Sequence, residues 1–193
     1  MLIFSRKSKC PYCGVQLDDP PKRKAKCPEC KRIIYIRSGK LVTEDEAQTM
    51  DWLGYLEQFD ITRHKFDSER DTLSKRFNTK ASVRDTIWSI LNSLVATHPV
   101  QAYYEMARLV SQEGKDEQPY IEQALHALLI SYKNRKIAYV RVECYGGEPD
   151  YSTCPGCAKL HQKKFLIDEA LEKMPIPHCC TSDTGCRCTY KPA

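Results

Sequence analysis

The chain has 193 residues and a formal net charge of +5, a size that suits one ordinary domain or a few small ones. No run approaches the roughly 20 apolar residues that a membrane helix needs, and the apolar start Met1–Phe4 is followed at once by Arg6, Lys7 and Lys9, the wrong order for a secretory signal. These features predict a soluble, intracellular protein without a membrane partner.

The first predicted unit is residues 1–40. Cys10-Pro11-Tyr12-Cys13-Gly14 and Cys27-Pro28-Glu29-Cys30-Lys31 are two similar knuckles. A polar, basic hairpin lies between them, with Pro20-Pro21 at its turn. Ile33–Ile36 is β-branched and aromatic and predicts a strand, which Ser38-Gly39 then breaks. This unit carries eleven Lys and Arg against three acidic residues, a formal +8, and leaves −3 for the rest of the chain. A basic module on a mildly acidic body suggests an anionic partner.

Residues 41–136 predict a helical domain. Thr43–Glu46 carries a capping-box signature, and Met50, Leu53, Leu56 and Phe59 recur near the helical period. Phe66, Leu73 and Phe77 mark a second, more polar helix. Ser82–Asp85 opens a third, with Val83, Ile87, Trp88, Ile90, Leu91, Leu94 and Val95 on its apolar face. His98-Pro99 opens a fourth, with Tyr103, Tyr104, Ala107 and Val110. Pro119 suits the start of a last helix through Leu125, Leu128, Leu129 and Tyr132. Residues 137–193 predict a C-terminal α+β module. It has a strand at 137–142, a turn at 145–149, a third C-x-x-C at Cys154–Cys157, a short strand at 165–167 and a short helix from Asp168 to Leu171. The fold class expected is thus a mainly α body flanked by two small metal-bound β-rich modules, α+β overall.

Eleven cysteines cannot all pair, and three pairs in C-x-x-C spacing favour metal over a disulfide framework. Zinc takes four thiolate or imidazole ligands in a tetrahedron, and Cys10, Cys13, Cys27 and Cys30 fill that shell without a spare. Two disulfides or a four-thiolate iron site are the alternatives. In the second cluster Cys154 and Cys157 are the firm pair. His178, Cys179, Cys180, Cys186 and Cys188 compete for the remaining places. One ion with spectator thiols is the simplest arrangement there, since a two-metal site would need further bridging. Two zinc ions are expected in all. Each four-thiolate site carries about −2, so two of them bring the chain to about +1.

Lys22, Arg23, Lys24 and Lys26 crowd the hairpin between the first knuckles, with Lys31 and Arg32 beside them. Such a run is most often a solvated loop; its sharper reading is phosphate binding. His126, in an apolar helix, reads as a packed core residue, and Trp88, Tyr103 and Tyr104 read as core. No P-loop, G-x-S-x-G or H-E-x-x-H motif is present. No small-molecule substrate is identified, and catalytic zinc would keep an open position that these clusters have ligands enough to close. The enzyme question therefore leans to no.

The stretch from Ile137 to Tyr190 resembles the C-terminal segment of the phage head-morphogenesis (minor head protein) family. The matching residues are Cys154-Pro155-Gly156-Cys157, Leu160, Phe165, Pro175-Ile176-Pro177-His178 and Cys186-Arg187-Cys188. The family's histidine usually stands close before Cys-Arg-Cys, whereas here residues 179–185 intervene. The resemblance implies a phage or prophage-derived protein with a structural or DNA-packaging role, in the cytoplasm of a bacterial cell or phage-infected host. The residues themselves lead first to a non-enzymatic zinc protein that contacts nucleic acid, or a nucleic-acid machine, through its basic ribbon. The alternative is a head-morphogenesis or assembly protein whose zinc modules serve protein contacts.

Overall fold

The structure is a computed structural model that describes residues 8–17, 21, 24–149, 153–178, 180–181 and 186–193. It is α+β, a largely helical chain with small antiparallel sheets towards both ends of the sequence. The chain divides into two compact units, Met1–Ile90 and Leu91–Ala193. No helix among the described residues is long and apolar enough to cross a membrane.

In the first unit, β1 (Ser8–Lys9) pairs antiparallel with β2 (Gln16–Leu17). A three-stranded antiparallel sheet follows, ordered β3 (Ala25–Lys26), β4 (Ile33–Arg37), β5 (Lys40–Val42). Ser38 and Gly39 both have positive φ (49° and 73°), the two-residue turn whose twist suits adjacent strands. The expected break is therefore a tight hairpin that keeps the chain in the sheet. Ile34 is 1% exposed and anchors a small apolar cluster with Cys10, Leu17 and Cys27.

α1 (Glu44–Leu56) begins where predicted. The Thr43 hydroxyl accepts the Glu46 N–H at 3.2 Å, and Glu44, Asp45 and Glu46 fill the first turn, where acidic groups oppose the helix dipole. Its buried face is Ala47, Thr49, Trp52 and Leu56, so Trp52 replaces Met50 and Leu53 at the centre of the predicted stripe. A 3₁₀ turn at Glu57–Phe59 ends in left-handed Asp60 (φ 56°). α2 (Arg63–Phe77) is capped by Thr62 and stopped by left-handed Asn78. Phe66 is its one buried residue, while Phe77 is exposed. Arg70 ties the layers together: it forks onto the Asp45 carboxylate at 2.7 and 2.8 Å and donates to the Ala81 carbonyl at 2.9 Å. Arg63 likewise forks onto Glu46. α3 (Val83–Leu94), opened by Ser82 accepting the Asp85 N–H at 3.0 Å, buries Val83, Ile87, Ile90, Leu91 and Leu94. Trp88 is half-buried under the Arg84 guanidinium, 5.7 Å from its ring. The division between the two units falls inside this helix.

In the second unit, α4 (Pro99–Gln112) packs against α5 (Gln118–Asn134). Ala107, Ile121, Leu125 and Leu129 supply their shared core. His126 is exposed, which corrects its reading as a core residue: it falls between the buried positions Ala124, Leu125 and Leu129 on the outer face. β6 (Tyr139–Glu143) is the central strand of a sheet flanked by β7 (Lys164–Leu166) and β8 (Thr189–Pro192), both antiparallel to it. α6 (Pro155–Leu160) follows Cys154, and α7 (Ile167–Lys173) follows β7 directly. The tail is pinned inward. Tyr190 is fully buried, its hydroxyl lies 3.3 Å from both the N–H and the carbonyl of Ile176, and its carbonyl accepts the Tyr132 hydroxyl. The core of this unit runs without a break from the α4–α5 pair into Cys144, Cys154, Cys157, Cys186 and Cys188.

Candidate metal centres

The first centre is built by two copies of one backbone device. In the first knuckle Gly14 N–H bonds the Cys10 carbonyl at 2.9 Å and Cys10 N–H bonds the Val15 carbonyl at 2.9 Å. In the second, Lys31 N–H bonds the Cys27 carbonyl at 3.1 Å and Cys27 N–H bonds the Arg32 carbonyl at 2.9 Å. The turn needs a left-handed residue at its fifth position, which is Gly14 (φ 74°) in one copy and Lys31 (φ 60°) in the other. Each hairpin aims its cysteines at the other. Cys10–Cys30 and Cys13–Cys27 are 3.8 Å apart, sulfur to sulfur, and all four sulfurs lie within 4.8 Å of one another. A tetrahedral ion with metal–sulfur bonds of about 2.3 Å has edges of about 3.8 Å, so the quartet already has the size of a four-thiolate shell.

The quartet holds its protons unequally. Burial opposes ionisation of Cys10, yet the N–H groups of Cys13 and Tyr12 and the thiols of Cys13 and Cys27 bring it down to about 7. The Arg32 N–H favours the Cys30 thiolate, but burial and the sulfurs of Cys27, Cys13 and Cys10 outweigh it and push Cys30 up to about 11. Crowded thiols that share charge in this way are relieved by a cation, which takes all four as thiolates.

The ribbon is fastened to α1. Glu44 N–H donates to the Tyr12 hydroxyl at 2.8 Å, the Tyr35 hydroxyl donates to Glu44 Oε1 at 2.9 Å, and Arg37 forks onto Asp51 at 2.7 Å. An open cleft of about 480 Å³ lies along this seam, lined by Tyr12, Arg32, Ile33, Thr43, Glu44, Asp45 and Gln48.

The second centre starts differently. Its C-x-x-C opens a helix: Cys154 is the N-cap of α6 and its sulfur accepts the Cys157 N–H at 3.3 Å. The tail between α7 and β8 delivers the rest. Cys154, Cys157 and Cys180 form one group of mutually close sulfurs, and Cys157, Cys186 and Cys188 form another. Cys157 and Cys186 are 3.8 Å apart. Cys154, Cys157, Cys186 and Cys188 are buried and Cys180 is half-buried. The Cys188 thiol, aided by the Cys188 N–H and the sulfurs of Cys157 and Cys180, overrides burial and brings Cys186 down to about 6. Donation to Cys186, together with burial, pushes Cys188 up. Burial works against the Cys154 thiolate, but the N–H groups of Cys157 and Thr181 and the thiols of Cys157 and Cys180 lower it to about 7. This group too can hold a metal ion.

Of the candidates for this shell, His178 is not brought in. Its Nε2 lies 3.3 Å from a Glu122 carboxylate oxygen, half-exposed on the α5 side. Cys179 lies outside the described residues. Cys144 is buried, its sulfur 3.7 Å from the Cys157 carbonyl, but it belongs to neither sulfur group.

The basic residues of the ribbon are displayed as a surface. Lys24, Lys26, Lys31 and Arg32 are all exposed; Lys22 and Arg23 lie outside the described residues. Two of the four sit on aromatic rings: Lys24 Nζ is 4.8 Å from the Tyr35 centroid and the Arg32 guanidinium 5.2 Å from that of Tyr12. The sequence gives no direct sign of these two tyrosines as supports. Their position does, because Tyr12 lies inside a knuckle and Tyr35 is one residue from buried Ile34 on β4, so both are fixed by the same turns that fix the thiols. Comparison with known proteins finds no counterpart: no family model, no curated protein and no solved structure matches this chain.

Proposed function

We propose that the protein is a non-enzymatic zinc protein that contacts nucleic acid, or a nucleic-acid machine, through its N-terminal ribbon. The observation that carries this reading is the set of four exposed cations, Lys24, Lys26, Lys31 and Arg32, on a scaffold closed by four thiols. Zinc suits both centres because it takes thiolate ligands, and the ribbon quartet also matches its bond length and preferred tetrahedron. Bound there, it supplies folding energy and no open coordination position. The cations spread over β3, the residue before it and the second knuckle, so they favour phosphates over base edges and predict little sequence preference.

Filter binding of the zinc-loaded chain to random DNA and RNA at several salt concentrations tests the reading. Affinity falls with salt at about −0.9 log units per phosphate contact on duplex. Changing Lys24, Lys26, Lys31 and Arg32 to Ala together flattens that slope by up to about four. Overlaying curves, or no binding at low salt, refutes it.

A phage head-morphogenesis or assembly role is the second reading. It is supported by the convergence in space of Cys154, Cys157, Cys186 and Cys188, residues that carry the family resemblance, and by the exposed cross-strand pair Tyr139 and Leu166, apolar surface suited to a protein contact. It leads if nucleic-acid binding is absent.

A further inference from the structure

The ribbon has four sulfurs for the four positions of a tetrahedral ion, and all four are mutually close. The C-terminal centre has five, and they fall into two triads that share Cys157. The 3.8 Å approach of Cys157 and Cys186 is an edge of tetrahedral length within the second triad, and Cys157 carries it into contact with the first. Adding Cys186 to the first triad gives Cys154, Cys157, Cys180 and Cys186. Adding Cys154 to the second gives Cys154, Cys157, Cys186 and Cys188. As they stand only the triads are mutually close, so either quartet closes by drawing one sulfur across from the other triad; the two quartets have three members in common and differ only in whether Cys180 or Cys188 completes them.

We propose that the C-terminal centre is an over-complete thiolate site for one zinc ion, in which Cys180 and Cys188 are interchangeable fourth ligands and the surplus thiol makes the site an exchange site rather than a closed one. The proposal rests on the reading that these cysteines bind metal, and goes beyond it by fixing how they share the ion. Zinc has no geometric preference from d-electrons and expands to five ligands in passing. The incoming sulfur forms its bond to zinc before the outgoing one leaves, and the proton of the incoming thiol passes to the departing thiolate. Nothing is oxidised or reduced and no co-reactant is consumed. The two exchanging thiols differ in access: Cys188 is 6% exposed, whereas Cys180 is half-buried. Whenever Cys188 holds the fourth place, Cys180 is a thiol at the edge of the site, placed to meet a soluble thiol or chelator. The ribbon has no such fifth sulfur among the described residues.

The test uses the full chain with Cys179→Ser as the parent, so that the neighbouring thiol cannot substitute. Zinc content is measured on the parent, on Cys180→Ser, on Cys188→Ser and on the double variant, with far-UV helical signal recorded on each. The expected result is two zinc ions per chain in the parent and in both single variants, falling to one in the double variant. Release of the second ion to a chromophoric chelator is faster from the parent than from either single variant. If either single variant drops to one zinc, the ligand set is fixed and the proposal is overturned. It is also overturned if the double variant keeps two, or if release rates are equal. Cys154→Ser and Cys157→Ser separate this from failure of the underlying reading: a parent that holds one zinc, unchanged by either, shows that no metal binds at the C-terminal centre at all.

Discussion

The two cysteine centres begin from the same C-x-x-C spacing and are embedded in opposite ways. Thiols are half of the ribbon's small buried cluster, Cys10 and Cys27 with Leu17 and Ile34, and only Tyr12, Val15, Cys30 and Leu41 pack against it. The C-terminal thiols are a minority in a core that also contains Ala107, Ile121, Leu125, Leu129, Val140, Val142, Ile176 and Tyr190. A metal bound in the first place would substitute for a hydrophobic core too small to hold two hairpins together. In the second place it would add a local clamp to a core with many apolar members of its own. Equal motifs thus carry unequal shares of their regions' stability.

The largest effect that sharpens this comparison is expected from Cys27→Ser. It should cost one zinc ion and an apparent folding energy on the order of 10 kcal/mol for the ribbon, and limited proteolysis should then cut between residues 8 and 42. Because Tyr12 accepts the first N–H of α1 and Arg37 grips Asp51, amide exchange at the start of α1 should quicken as well. A ribbon that resists protease after losing its metal would break the comparison. Cys157→Ser, which removes the sulfur common to both C-terminal triads, should cost less, roughly 3 kcal/mol. Thermal unfolding monitored by circular dichroism should show a lower midpoint with the helical signal of α4 and α5 retained at room temperature; its disappearance would mean that the second core also needs metal.

A smaller gain is expected from Lys31→Gly. Lys31 occupies the left-handed position that glycine fills in the first knuckle, and a non-glycine residue there costs about 1 kcal/mol. Relief of that cost should tighten zinc binding in a chelator competition by about fivefold, and an unchanged affinity would show that the Lys31 contact to the Pro28 carbonyl already compensates. The smallest effect concerns Asp45. Hydrogen bonds from Arg70 hold its carboxyl below the ordinary value of 3.8 against the opposing effect of burial, with the Arg70 charge assisting. A carboxylate whose folded value is depressed contributes stability above its unfolded value and loses it as pH falls through the folded one. The stability difference between wild type and Asp45→Asn, taken from urea titrations, should therefore be constant near neutrality and shrink below about pH 4.

Much of this was readable in advance where local chemistry decides. Thr43 and Ser82 cap helices because a short hydroxyl can reach an N–H three residues on; Thr62 does the same for α2 without being singled out by the sequence. The ribbon quartet was readable because each knuckle fixes its own two thiols and leaves no surplus. The second centre was only half readable. The path of a tail with many prolines and a glycine is set by what it packs on, and here Tyr190 and Tyr132 draw it inward while His178 ends beside Glu122. β8 was missed for a related reason: Thr189–Pro192 has a proline at its end and gains its strand geometry from pairing with Val140–Glu143, a long-range partner that no short window contains. Phe77 shows the converse, an apolar residue at helical spacing that falls in the last turn of a polar helix and stays in solvent.

Both tryptophans of the chain, Trp52 on α1 and Trp88 on α3, lie in the first unit. Trp52 is buried with its ring edge-on to Tyr55 at 5.5 Å, on the helix to which the ribbon is fastened. Indole emission from the intact protein is therefore a private channel for the N-terminal half. The second unit has tyrosines, and Tyr104, buried deeply enough to hold its phenol up at about 12, hydrogen-bonds Thr189 beside the C-terminal thiols. Indole emission can thus follow the ribbon-bearing unit by itself, without a label or an introduced residue, whereas tyrosine signal is shared with Tyr12, Tyr35 and Tyr55 of that unit.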